Sequence, residues 1–222
     1  RNNKVWQANT IVSITALAEL QTIKQEGQYL QIGAGCTHMQ VAYNSLIQQY
    51  YPSLVTACAA VGSVQIRNRA TIGGNLANSS PAGDTIPVLQ SLLATVSVLN
   101  SQNRKKEITI DQLVIGVNKN SLAVDEIITG INIPLPTANQ RMAFVKLGNR
   151  STVTVSRINI AANIGYDPSE NRIASARIYL GAVGKTAFRA TLAEQVLLNN
   201  QLNTDIAEKF AKAIASEVEN SI

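Results

Sequence analysis

A chain of 222 residues with 45% apolar and 15% charged side chains has the profile of a globular protein with a sizeable core, in one large or two small domains. No apolar run is long enough to span a bilayer. Two cysteines without a C-x-x-C pair argue against a zinc or iron–sulfur site on the chain, and a single histidine excludes a His-rich metal centre. The net charge of +5 comes from scattered Lys and Arg with only 5% aromatics, so no base-stacking platform is interleaved with them. Nucleic acid is therefore not expected as a partner, whereas a modestly basic face suits an acidic protein. Cys36 and Cys58 are expected to be reduced, buried thiols of a cytoplasmic protein.

In chain order, residues 1–24 suggest an irregular start, with a β-rich run at Thr10–Ile14 and a short helical turn at Ala18–Leu20. Tyr29–Gly33 alternates as a half-buried strand. Thr37 is placed to cap a helix carrying Met39, Ala42, Tyr43, Leu46, Ile47 and Tyr50 at helical spacing. The preceding Gly33-Ala34-Gly35 is compatible with a tight strand-to-helix turn or a phosphate loop, and His38 is given no catalytic role. Pro52 opens a second helix with Leu54, Ala57, Cys58 and Val61 as its apolar stripe, and Gly62 fits the position that ends it. A long loop then leads to Asp84 and a third helix bearing Val88, Leu89, Leu92 and Leu93.

Strands follow at Thr95–Leu99 and Glu107–Ile110 around a charged turn, and at Asp125–Ile133. Strict alternation puts Ile127, Thr129, Ile131 and Ile133 on the core face of the last of these. It puts Ile128 beside Gly130 and Asn132 on the other face, either as edge packing or against a flat ring. Pro134–Asn139 is the best boundary in the chain. Beyond it come three alternating strands, through Met142–Leu147, Ile158–Ile164 and Ala174–Leu180, and two helices near 191–199 and 204–220.

The stretch Ala70-Thr71-Ile72-Gly73-Gly74-Asn75-Leu76-Ala77-Asn78-Ser79-Ser80-Pro81-Ala82-Gly83-Asp84 carries the strongest functional signal. Paired glycines let backbone N–H groups approach a ligand closely, and a concavity of such groups suits phosphate oxygens. Asn75 adds a donor, and Asp84 can accept from ribose hydroxyls. The plainer alternative is a surface turn with Asp84 as a helix cap. No Walker loop, nucleophile elbow or Ser/His/Asp grouping is present.

The whole stretch, with its lead-in Gly62–Arg69, resembles the second FAD-binding loop of the molybdenum hydroxylase flavoproteins, the family of xanthine dehydrogenase and the carbon monoxide dehydrogenase medium subunit. Asp125–Pro134, Phe144–Arg150, and Leu180–Val183 with Arg189 and Glu194 are similar to the same family in the same order, so the likeness runs from about Ile32 to Asn200. It implies that the backbone of Thr71, Ile72, Gly73, Gly74 and Asn75 holds the FAD pyrophosphate, with Thr71 and Asn75 adding side-chain bonds. It further implies that Asp84 binds the ribityl or ribose part, that Ile128 packs on the isoalloxazine, and that Lys146 reaches the ring or its chain. Ala70 and Asn78 are implied as wall residues. A solvated strand position is the plainer alternative for Lys146.

One feature departs from the family. Its first FAD loop, a Gly-Gly-Thr-Asp type sequence, is absent, and Arg1–Glu19 resembles what normally follows it. An N-terminal piece of roughly fifty residues is therefore expected upstream of the given sequence, a length compatible with a subdomain. The implied fold is α+β, with an FAD-binding domain of mostly antiparallel sheet over 1–136 and a smaller C-terminal domain, with a three-stranded sheet and two helices, over 137–222. The implied function is electron transfer by FAD, from [2Fe–2S] clusters to NAD+ or another acceptor. The clusters and the molybdopterin-held molybdenum sit on partners, an iron–sulfur subunit and a large subunit. The alternatives are a flavin-free scaffold subunit and a stand-alone FAD-dependent reductase of related fold.

Overall fold

A computed structural model describes residues 10–150 and 153–221. The irregular start expected over residues 1–9 lies outside them. Thr10–Ile14 is exposed and forms no strand. After a turn of 3₁₀ helix at Ala18–Gln21, strands β1 (Ile23–Glu26) and β2 (Tyr29–Gly33) form a hairpin closed by Gly27, whose φ is +57°.

The single helix expected after Gly35 is two, α1 (His38–Tyr43) and α2 (Ser45–Tyr50). Asn44 breaks them, because its Oδ1 accepts from the N–H groups of Leu46 and Ile47 and so caps the second. Helix α3 (Pro52–Ala60) ends as the sequence predicts, with Gly62 in the left-handed region at φ +43°. Val61 is only half-buried, outside the stripe assigned to it.

The expected loop between 63 and 84 contains two helices, α4 (Val64–Arg67) and α5 (Ile72–Asn78), followed by α6 (Thr85–Ser91). Every residue of α6 is buried, because it lies between the two sheets and touches α3 as well. Leu93, counted with its apolar side, instead turns outward at φ +57° just past the helix.

Strands β3 (Thr95–Asn100) and β4 (Lys105–Thr109) make the predicted hairpin, but Ile110 opens a helical turn, α7 (Ile110–Leu113), capped by Thr109. A short ribbon of β5 (Val114–Gly116) and β6 (Lys119–Asn120) leads to β7 (Glu126–Pro134). The first sheet is antiparallel throughout, in the order β1-β2-β7-β3-β4.

Its register corrects the face assignment of β7. Ser97 pairs with Gly130 but Val98 pairs with Ile128, so Thr129 is an extra residue in a β-bulge. The bulge inverts the alternation. Ile128 enters the core at 7% exposure and Ile127 turns outward at 46%, the reverse of what uninterrupted alternation dictates.

The second sheet has the order β11-β10-β9-β8, from β8 (Gln140–Gly148), β9 (Ser156–Asp167), β10 (Arg172–Gly181) and the two-residue β11 (Phe188–Arg189). It thus has one short strand more than the three expected. Helices α8 (Thr191–Leu197) and α9 (Thr204–Glu219) pack on one face of it, closing a core of Ile173, Ile178, Leu180, Ala193 and Ile206. The other face meets α3 and α6, and Phe144 and Ala161 join the core of the first sheet there. Hydrogen bonds stitch the seam, with the Asn163 side chain donating to the Ser91 carbonyl and the Ala182 N–H donating to the Pro81 carbonyl. No described helix is long and apolar enough to cross a membrane.

Candidate cofactor site

Thr71 begins the site. It is the N-cap of α5, and its Oγ1 accepts from the Gly74 N–H at 3.0 Å. The helix is anchored sideways to the turn after β2. The Ile72 N–H donates to the Cys36 carbonyl and the Gly73 N–H to the Ala34 carbonyl, at 2.9 and 3.0 Å. The Asn75 N–H closes on the Thr71 carbonyl within the helix.

The glycine pair thus works differently from the outward-turned nest that its sequence suggests. Neither glycine has positive φ. Gly73 is required for contact, since a Cβ there would stand 2.6 Å from the Ala34 Cβ. A Cβ on Gly74 would meet only the Thr71 hydroxyl, at 2.9 Å, so this exposed glycine keeps the cap accessible. Residues 37 and 71 form an antiparallel bridge flanked by the bonds His38 N–H to Ala70 carbonyl and Ile72 N–H to Cys36 carbonyl. In that arrangement the Thr71 N–H points away from Thr37.

These groups border a cavity of 550 Å³, within the roughly 300–1,000 Å³ of small-molecule sites. Ala34, Gly35, Thr71, Gly73 and Gly74 form one side, and the bulged strand supplies Ile128. The cavity therefore brings together Thr71, Gly73, Gly74 and Ile128 of the predicted residues. Ile72 is fully buried in the core, so only its backbone is near this surface. Asn78 is exposed at the far end of α5, and Ala70 lends its carbonyl to His38. Asn75 turns toward α6, where its Oδ1 accepts from the Thr85 hydroxyl at 2.7 Å.

Asp84 and Lys146 form a second cluster. Asp84 occupies the N-cap position of α6 but caps nothing. Its Oδ2 accepts from Lys146 Nζ at 2.6 Å, and its Oδ1 accepts from Ser156 Oγ at 2.6 Å and Asn159 Nδ2 at 3.1 Å. Lys146 also donates to the Ala60 carbonyl at 3.0 Å. The side chains of Asp84 and Lys146 are only 6% and 12% exposed, which removes the solvated-lysine alternative. Lys146 lines a separate cavity of 870 Å³ with Ala60, Gly62, Arg67 and Arg150. Arg67 is held in place by the carbonyls of Val61 and Gly62.

Ser156 and Asn159 belong to the charged cluster with no motif to mark them, whereas Ala34 and Gly35 lie in the turn that the sequence leaves open as a phosphate loop. The visible signal of Ser156 and Asn159 is polarity on the inward face of β9, a face that Asn163 shares. His38 was set aside, yet it is fully buried with both ring nitrogens unpartnered. Burial lowers its pKa to about 4, with the Asp84 charge opposing and the Arg67 charge adding to the shift. Cys36 and Cys58 are free and buried, and burial raises the pKa of Cys36 to about 11.

The family of the FAD binding domain in molybdopterin dehydrogenase matches residues 1–136, and that of the CO dehydrogenase flavoprotein C-terminal domain matches residues 143–221. The chain belongs to the FAD-binding subunits of the molybdenum hydroxylases. This FAD subunit is 31% identical over 210 residues to the nicotinate dehydrogenase FAD-subunit of Eubacterium barkeri, covering 93% of the chain and 70% of the relative. It is 29% identical over 211 residues to the xanthine dehydrogenase FAD-binding subunit of Escherichia coli, covering 94% and 71%. Among solved structures it superimposes with a TM-score of 0.82 on a chain of the carbon monoxide dehydrogenase of Hydrogenophaga pseudoflava, at 26% identity, covering 88% of this chain and 67% of that one. It is a flavoprotein of an oxidoreductase family, with FAD as its cofactor.

Proposed function

We propose that the FAD of this chain crosses the Thr71–Gly74 turn and carries electrons from [2Fe–2S] clusters to NAD+ or another acceptor. The observation that carries this reading is the 550 Å³ cavity, walled by Gly35, Gly73, Gly74, Thr71 and Ile128. When bound, FAD supplies the redox chemistry, taking and giving electrons in ones or pairs. The chain's own residues bind and orient it. Thr71 holds the pyrophosphate through its N–H, which points away from Thr37, with Gly73 and Gly74 leaving room for it and Ala70 and Asn78 as flanking walls; the N–H groups of residues 72–75 are already bonded within the fold. Ile128 offers an apolar surface to the ring. Lys146 lends positive charge near the ring or its chain, and Asp84 fixes that lysine as well as offering a carboxylate to the ribityl or ribose part.

The iron–sulfur clusters and the molybdopterin-bound molybdenum are assigned to an iron–sulfur subunit and a large subunit of the same assembly, in the cytoplasm. Relatives named as FAD subunits support this division of labour. The division of the chain into 1–136 and 137–222 follows the two sheets. The mutual pairing of Asp84 and Lys146 is the one observation that favours a flavin-free scaffold. Flavin content decides between them. The full chain, purified with its partners, is expected to release about one FAD per chain on denaturation, and Gly74→Asp to lose it by charge repulsion with the pyrophosphate. Unchanged flavin in that variant would sink the site, and a colourless parent protein would establish the scaffold.

A further inference from the structure

We infer that Ser156 and Asn159 are positioning residues for the flavin, holding one oxygen of Asp84 so that the other fixes the Lys146 ammonium beside the cofactor. The inference rests on the assignment of Lys146 to the FAD site above.

An ammonium has three N–H donors. Among the described residues, Asp84 Oδ2 takes one and the Ala60 carbonyl a second. With two directions fixed, tetrahedral geometry fixes the third, in a side chain that lines the 870 Å³ cavity. The direction of that third donor therefore depends on where Asp84 Oδ2 stands. A carboxylate anchored through one oxygen alone can turn about its χ angles. Anchored at Oδ1 by Ser156 and Asn159, it cannot.

The strand is built to supply both anchors. In a regular strand residues 156 and 159 face opposite ways, because side chains alternate with period two. Here Leu147 pairs with Ile158 but Gly148 pairs with Ser156, so Arg157 is an extra residue. This bulge turns Ser156 onto the face of Asn159, and both reach the same oxygen. Asn159 is fully buried and fits only because residue 181 is glycine, where a Cβ would stand 2.2 Å from its Oδ1. Both residues are buried, and α6 gains no cap from the carboxylate they hold.

The test uses the full chain in its assembly, stripped of FAD and reconstituted. Ser156→Ala and Asn159→Leu are each expected to weaken FAD binding about tenfold, and Ser156→Thr to keep it. Both are also expected to lower the flavin midpoint potential in the same direction as Lys146→Met, because a displaced ammonium stabilises negative charge on the reduced ring less well. A merely structural role predicts a lower melting temperature with an unmoved potential, and that result would overturn the inference. If Asn159→Leu fails to fold, the Ser156 pair decides alone. Should Lys146→Met leave affinity and potential unchanged, the placement of Lys146 at the flavin is itself wrong and the inference falls with it. A shift in Lys146→Met but not in the Ser156 and Asn159 variants overturns the inference only.

Discussion

The two candidate clusters, a glycine end and a charged end, border separate cavities and are built from different materials. At the glycine end, around Thr71–Gly74 and Ala34, nearly everything is backbone: amides donate to carbonyls of the neighbouring turn, and the side chains contribute smallness and the Thr71 cap. At the charged end, around Asp84 and Lys146, nearly everything is side chain, and the donors come from a different sheet. The first end is set by local chain geometry and belongs to one folding unit. The second exists only when both sheets are docked, so it reports on their docking.

The comparison breaks most visibly at Asp84. Asp84→Ala strands a nearly buried ammonium and two buried donors, and a loss of roughly 3–5 kcal/mol is expected in urea denaturation. A loss under about 1 kcal/mol would mean the charged end does not couple the sheets. Next is the bulged strand. Ile128→Ala is expected to cost about 3 kcal/mol and Ile127→Ala less than about 0.5, since only the first is in the core. The reverse order of costs would restore regular alternation. At the glycine end, Gly73→Ala forces the helix off Ala34 for about 2–3 kcal/mol, and Ala34→Gly in the same chain should recover part of it. Gly74→Ala, with no core neighbour, sharpens the contrast by costing less.

A pH-dependent effect is expected from His38, whose buried ring feels the charges of Asp84 and Arg67. Its folded-state pKa of about 4 lies below the ordinary 6.5, so the buried neutral ring stabilises the fold above pH 6.5. That contribution declines as pH falls from 6.5 toward 4, reaching a loss of roughly 2 kcal/mol at pH 5. His38→Gln should flatten this part of the stability profile relative to the parent. Parallel profiles would show that the ring is not held neutral by burial.

The same division decided how much was legible in the sequence. Strands β2, β3, β9 and β10 and helices α3, α8 and α9 follow from alternation, spacing and stop signals, which are carried within each element. The stretch containing Gly73-Gly74 was visible as a site because small residues and a cap are local features. Its helical state was not, since two glycines in four residues disfavour a helix, and α5 is held by bonds to the turn at Ala34–Cys36 instead. Ile128 was assigned to the wrong face because a bulge is a property of the pairing, not of one strand. Lys146 is a site residue through family likeness alone, whereas Asp84 and Ile128 also follow from their own sequence setting. Ser156 and Asn159 carried no local sign of a carboxylate more than seventy residues away in the chain.

The bulge at Thr129 has a consequence for how this chain tolerates change. It separates β7 into two segments with independent phase. Insertions or deletions that shift Glu126–Ile128 can be absorbed at the extra residue without moving Ile131 and Ile133 out of the core. The cavity wall can thus be retuned, by lengthening or shortening the ribbon before it, while the sheet that supports it stays in register.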